Sequence, residues 1–258
     1  MPKVAKARAK KDDCVLVTGI DEAGRGAMIG PMVVCGITAE RKVVEKLRAI
    51  GVRDSKELSP KRREELYPLI KEIVQTGSRA SGILPIFVPP CKIDAQKSEN
   101  SNLNLLEART MAQIIGTIGG EEVYLDALTS RPERFKRVVL DFLNEGKSGK
   151  DLKVEGKKFR VIAENNADKT YPIVSAASII AKVERDRAIE EIKKEAGVDF
   201  GVGYPHDERT VAFVEQLIKT HRRLPAYVRK SWITTQELQR RNWQRRIKDF
   251  ILGKEKKM

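Results

Sequence analysis

Five short runs rich in valine and isoleucine alternate with segments of helical periodicity, and this alternation constrains the chain most. The runs are "CVLVTGI" (14–20), "PMVVCGI" (31–37), "RASGILPIFV" (79–88), "EEVYLDAL" (121–128) and "KFRVIAE" (158–164). Glycine or polar residues bound each of them, which is the pattern of strands. Between them, "SPKRREELYPLIKEIVQ" (59–75) reads as a helix with Ser59 as N-cap and Pro60 in the first turn. The stretches 102–118, 131–145 and 207–221 each carry apolar residues on one helical face. "TYPIVSAASIIAKVERDRAIEEIKKEAG" (170–197) predicts a long helix whose small residues, Ala176, Ala177, Ser178 and Ala181, admit a close backbone neighbour. Gly197 stops it. The segment from Thr234 is polar and helix-prone, and "NEGKSGKDLKVEG" (144–156) reads as a flexible loop. Together these elements predict an α/β fold: a mixed sheet flanked by helices, with a C-terminal helical extension.

The charge is unevenly placed. The chain of 258 residues has a formal net charge of +14. Residues 1–11 hold five Lys or Arg and no acid, and residues 222–258 hold twelve against three acids. The excess therefore sits at the two ends, which divides the chain into a basic, disordered extension (1–13), an α/β domain (14–221) and a basic helical extension (222–258). A polyanion is the natural partner, and nucleic acid fits better than a membrane because no apolar anchor accompanies the charge. No apolar run approaches the roughly 20 residues that span a bilayer. Cys14, Cys35 and Cys91 form no CxxC pair and suggest neither a zinc site nor a disulfide framework. A cytoplasmic monomer is expected.

"VTGIDEAGRG" (17–26) carries the chemistry. An apolar strand runs into Asp21 and Glu22, and neighbouring strand residues face opposite ways. The two acids converge only if the strand ends or bends there, which Gly24 and Gly26 permit. Crowded carboxylates repel, and a divalent cation with oxygen ligands relieves this. The alternative is a solvated acidic turn. A dinucleotide loop is excluded, because Gly30 is followed by Pro31 and another strand rather than a helix. Asp126 ends a second strand, and Asp168 in "NNADKTYP" precedes the long helix. Alone, each would read as a turn or cap residue; jointly they suit one edge of a sheet.

The segments "GIDEAGRGAMIGPMVV", "DSKELSPKRREEL", "NLNLLEA", "YLDAL", "ADKTYPIVSAASIIAKVERD", "GVGYPHD" and "LPAYVRKSW" occur in that order between Val15 and Gln236. In them the chain resembles the type 2 ribonucleases H (ribonuclease HII) of the archaeal kind. The resemblance implies an RNase H-like fold. It implies a metal-dependent endonuclease that hydrolyses the RNA strand of RNA–DNA hybrids and cuts 5′ to ribonucleotides embedded in duplex DNA. The ends left would be 3′-hydroxyl and 5′-phosphate, and the setting ribonucleotide excision in DNA replication and repair. The catalytic, metal-holding acids map onto Asp21, Glu22, Asp126 and Asp168, with two Mg²⁺ or Mn²⁺ ions during catalysis. Gly24, Arg25 and Gly26 would approach the ribose 2′-hydroxyl. Tyr204 would stack on the following deoxyribose, or alternatively serve as a core or hairpin tyrosine. Lys56 would contact a backbone phosphate. His206 reads as a turn residue. A junction resolvase or a type 3 enzyme fits less well, given "GRG" together with "GVGYPHD".

The tail segment "QRRIKDFI" (244–251) resembles a sliding-clamp-binding motif through Gln244, Ile247 and Phe250, with Ile251 standing where an aromatic residue is usual. The alternative is an amphipathic basic helix.

Overall fold

The computed structural model describes residues 14–52, 57–78, 80–98, 102–145, 153–154 and 157–252. Lys56, the 1–13 extension and most of the 144–156 loop lie outside the described residues. The chain gathers into two compact units. The first holds residues 1–23, 33–87 and 102–185; the second holds 24–32, 88–101 and 186–258. The sequence placed its boundary at residue 222, whereas the second unit draws on three separate stretches.

The first unit is built on a five-stranded sheet of order β3-β2-β1-β4-β7. Its strands are β1 (Leu16–Ala23), β2 (Met32–Glu40), β3 (Gly82–Val88), β4 (Glu122–Asp126) and β7 (Arg160–Glu164). β1 runs antiparallel to β2, from Leu16↔Glu40 to Ala23↔Val33. It runs parallel to β4, from Val17↔Glu122 to Ile20↔Leu125, and β4 runs parallel to β7. The mixed sheet is as expected. Two-residue strands β5 (Lys153–Val154) and β6 (Lys157–Lys158) pair where a loop was expected.

The helices are α1 (Arg41–Ala49), α2 (Pro60–Gln75), α3 (Pro90–Ser98), α4 (Leu103–Ile118), α5 (Pro132–Asn144), α6 (Ala167–Thr170), α7 (Pro172–Ala196), α8 (Glu208–Thr220) and α9 (Ile233–Ile251). Ser59 caps α2 as expected, its hydroxyl accepting the Arg62 N–H at 3.2 Å. Asn102 does the same for α4 through the Leu105 N–H at 3.1 Å. The sequence missed α1, α3 and α6.

Two glycines show how closely helices cover the sheet. A Cβ on Gly19 would lie 2.5 Å from the Ile173 and Val174 backbone, so β1 and the start of α7 touch main chain to main chain. A Cβ on Gly36, opposite Ile20, would lie 2.2 Å from the Ile114 side chain on α4. Odd-numbered β1 residues therefore face α7 and even-numbered ones face α4. Ala176, Ala177 and Ala181 are fully buried in the α7-side core with Val17, Val33 and Ile37. On the other face Thr18 and Thr38 share a 2.8 Å hydrogen bond. Thr38 Oγ1 donates to the Ile118 carbonyl, and Thr18 Oγ1 accepts the Gly120 N–H at 2.8 Å. This buried pair satisfies polar groups at the C-terminal end of α4.

The second unit has its own core of Met28, Ile29, Ile189, Phe200, Phe213, Val214 and Val228. The Phe200 and Phe213 rings stack at 5.1 Å.

Candidate active site

The strand carrying the acidic pair does not end there. β1 remains extended through Asp21, Glu22 and Ala23, because the ladder to β2 holds to Ala23↔Val33. Its parallel ladder to β4 stops earlier, at Ile20↔Leu125. Both acids thus lie past the paired part of β1 and β4, at the carboxyl edge of the parallel strands, where open α/β sheets place their ligands. The expected bend falls later, at Gly24, whose φ is +80°.

Asp21 and Asp126 each follow directly on the last paired residues, Ile20↔Leu125, and share the parity of Gly19 and Tyr124. That parity turns both aspartates to the α7 side, whereas Glu22 has the opposite one. Asp126 Oδ1 accepts the Ala167 N–H at 2.9 Å. Ala167 opens α6, the single turn carrying Asp168. Asn166 makes that turn possible. Its φ is +57°, and asparagine tolerates the left-handed conformation. Ser175 Oγ donates to the Asp168 carbonyl and ties the turn to α7. The Tyr171 ring lies 4.2 Å from that of Tyr124, and its hydroxyl donates to Glu164 at 3.0 Å. Burial, then the Glu122 carboxylate, push the Tyr124 phenol up to about 12, so it stays protonated at neutral pH.

All four acids are buried: Asp21 is 3%, Glu22 6%, Asp126 2% and Asp168 1% exposed. The hydrogen bond of Asp21 comes from the Glu22 N–H at 2.7 Å, and no Lys or Arg among the described residues pairs with it. A buried carboxylate without a cation is costly. Its charge is felt by Cys35 across the ladder: burial first, then the Glu184 and Asp21 carboxylates, push that thiol up. Cys35 is the buried cysteine; Cys14 and Cys91 are exposed. Among the described residues no three His, Cys, Asp or Glu stand close enough together to hold a metal ion by themselves. The donor set nonetheless fits magnesium or manganese, which take oxygen ligands. Magnesium commonly binds through one or two carboxylates, with water and substrate phosphate completing the shell.

The second unit holds Gly24, Arg25, Gly26 and Tyr204, whereas Lys56 lies outside the described residues. Gly24 and Gly30 take φ of +80° and +85°. A Cβ on Gly26 would meet Tyr204 Cε1 at 4.0 Å, which puts that ring beside the Gly-Arg-Gly loop. Tyr204 stacks on His206 at 5.4 Å and is part-exposed, so it is not a core tyrosine. Asp207 caps α8 through the Arg209 N–H and accepts the Val202 N–H at 2.7 Å, fixing the loop that carries Tyr204. Burial alone would raise its carboxyl, but the Val202 and Arg209 amides outweigh this and hold it below the usual range.

Arg229 is fully buried. Its Nη2 donates to the Gly24 carbonyl at 2.6 Å, Nη1 to Arg25 at 2.8 Å and Nε to Gly30 at 3.0 Å. Asp94 accepts the N–H groups of Lys230 and Ser231 at 3.1 and 2.8 Å. An arginine inside an exposed-looking basic run carries no sequence signal of this. Glu107 on α4 is also buried, and it sits within an apolar period that gives no sequence signal of a site.

The Ribonuclease HII family pattern matches residues 18–235. The chain belongs to the ribonuclease HII family. It is 40% identical to the Ribonuclease HII of Methanocella arvoryzae over 222 residues, covering 85% of this chain and 89% of that one. Against the crystal structure of ribonuclease H2 from Pyrococcus horikoshii the TM-score is 0.74 at 37% identity, covering 88% of this chain and 98% of that one. Against the chain in the PCNA:RNase HII complex from Archaeoglobus fulgidus the TM-score is 0.70 at 37% identity, covering 86% and 96%. The protein is therefore a ribonuclease H, a hydrolase and an endonuclease. No helix among the described residues is long and apolar enough to cross a membrane.

Proposed function

We propose that this ribonuclease HII cuts the RNA strand of RNA–DNA hybrids and cuts 5′ to ribonucleotides embedded in duplex DNA, leaving 3′-hydroxyl and 5′-phosphate ends. The observation that supports this reading is that Asp21 and Asp126 directly follow the last residues paired between β1 and β4, with Asp126 accepting the N–H of Ala167 at the start of the turn that bears Asp168. Asp21, Glu22, Asp126 and Asp168 would hold two divalent cations, Mg²⁺ or Mn²⁺, during catalysis. When bound, such ions activate the attacking water and stabilise the leaving oxygen. Asp126 is positioned for this by the Ala167 amide, and Asp168 by Ser175. The burial of these carboxylates keeps bulk water from screening them. The chain's two histidines, His206 and His221, lie on neither β1, β4 nor α6, so no histidine base is invoked.

Reading of the ribose falls to the second unit. Gly24 and Gly26 lack a Cβ, so their main-chain groups can approach a 2′-hydroxyl, which both donates and accepts. Arg25 adds positive charge, and Tyr204 offers its face to the next sugar. Lys56 would hold a backbone phosphate.

The tail reading also belongs here. Gln244, Ile247 and Ile251 share one face of α9, with Ile247 46% and Ile251 74% exposed. The side chain of Phe250 lies outside the described residues. The Archaeoglobus relative was solved as a PCNA complex, and this exposed face supports a similar clamp contact.

The test is cleavage of three labelled duplexes in Mg²⁺ or Mn²⁺: an RNA–DNA hybrid, a DNA duplex with one ribonucleotide, and plain DNA. Cutting of the first two, with the single cut 5′ to the ribonucleotide, is expected. Cutting of hybrid alone would remove the assigned role of Tyr204. Cutting of neither would remove the reading.

A further inference from the structure

A cleft of 340 Å³ opens in the first unit between the start of α4, the β4–α5 loop and the first turns of α5. Its polar wall is formed by Asn104, Thr129, Ser130, Arg131 and Arg134, over a floor that includes Phe135. Neither guanidinium has a carboxylate or carbonyl acceptor among the described residues. The one acid between them, Glu133, is engaged by Lys136 at 2.5 Å. The N-terminal end of α5 points the same way. Arg131 stands at its N-cap with no side-chain acceptor, and Pro132 follows. Two uncompensated arginines, two hydroxyls and the positive end of a helix favour a multiply oxygenated anion.

The cleft is tied to the acidic edge. Asp126 ends β4, and Arg131 follows five residues later. Five residues span at most roughly 17 Å, or about five nucleotide rises of 3.4 Å along one strand. The Thr129 N–H donates to Asn165 Oδ1 at 3.4 Å, joining this loop to the one that leads into Asp168. We propose that Arg131 and Arg134, with Thr129 and Ser130, bind an internal phosphodiester of the nucleic acid within a few nucleotides of the scissile bond. The inference rests on the ribonuclease reading for its substrate, and its readout is binding rather than cleavage.

The test compares the wild type with an Arg131→Ala/Arg134→Ala variant. A control, Lys61→Ala/Arg137→Ala, removes the same charge from α2 and α5 outside the cleft. Affinity for a labelled RNA–DNA hybrid is measured in EDTA as salt rises. Each neutralised phosphate contributes about 0.9 to the logarithmic salt slope, so losing this one makes the affinity drop between 50 and 200 mM salt about 3.5-fold smaller. The control should keep the wild-type slope. A methylphosphonate placed in turn at each internal phosphate should weaken the wild type at one or two positions and leave the cleft variant unaffected there. An unchanged slope, or the same change in the control, overturns the proposal. So does competition by inorganic phosphate or by a terminal phosphate with no internal position sensitive, which marks a monoester site. Cleavage of the same hybrid by the wild type separates the two claims. An active enzyme with an unchanged slope loses only the cleft. An inactive one that keeps the slope difference loses only the nuclease reading.

Discussion

Replacing Arg229 by lysine tests whether one buried side chain holds the Gly-Arg-Gly loop in shape. Arg229 donates to three carbonyls, and Gly24 and Gly30, which own two of them, are buried. Lysine keeps the charge but carries a single compact ammonium in place of the planar fork. It can reach one of these acceptors well and leaves two. A hydrogen bond to a charged group contributes about 1.5–3 kcal/mol net. Two lost bonds give roughly 3–6 kcal/mol, at the lower end because water can serve the part-exposed Arg25 carbonyl. That is a large share of the roughly 5–15 kcal/mol that holds a domain folded. Both tryptophans, Trp232 and Trp243, lie in the second unit, so their fluorescence during urea unfolding reports on it. The expected result is a loss of about 3–4 kcal/mol. Cutting at an embedded ribonucleotide should fall more than cutting of a long hybrid, as the reading of the 2′-hydroxyl proposed for this loop requires. A variant within 0.5 kcal/mol of wild type and with an unchanged substrate preference would refute the reasoning.

Three further outcomes are expected. Gly19→Ala drives a Cβ to 2.5 Å from the α7 backbone and should cost at least about 1–3 kcal/mol in urea unfolding, since main chain yields less than a side chain. Asp207→Ala removes the α8 cap and should cost about 0.5–2 kcal/mol. The Asp207 carboxyl is held below its usual range, so its contribution is present above about pH 4 and fades as pH falls through the lowered folded value. The difference between Asp207→Ala and wild type should therefore shrink in acid, as thermal melts across pH would show. Deleting residues 244–258 should abolish clamp pull-down while sparing hydrolysis of a short hybrid; clamp binding that survives the deletion removes the tail reading.

What the sequence reveals and what it hides follow from where the information resides. Strand periodicity placed β1, β4 and β7, and the acids at their ends stood out because a carboxylate after an apolar run has no packing reason to be there. The extent of β1 was not legible. Only its antiparallel partner carries it past Asp21, and pairing is a long-range property. α6 was hidden because its single turn depends on Asn166 adopting a positive φ and on Ser175 from the next helix. Arg229 was hidden because nothing local distinguishes a buried arginine from a solvated one. The division into two units was equally invisible, since residues 24–32 join the second unit through contacts with a residue about two hundred positions away.

The most direct test of the central claim is Mn²⁺ binding by calorimetry, alongside cleavage of a duplex holding one ribonucleotide, for the wild type and Asp21→Asn. Asparagine keeps an oxygen for the Glu22 amide, so the melting temperature should not fall. The account predicts that the variant loses Mn²⁺ binding and cleavage together. A variant that still binds Mn²⁺ and still cuts 5′ to the ribonucleotide would contradict it.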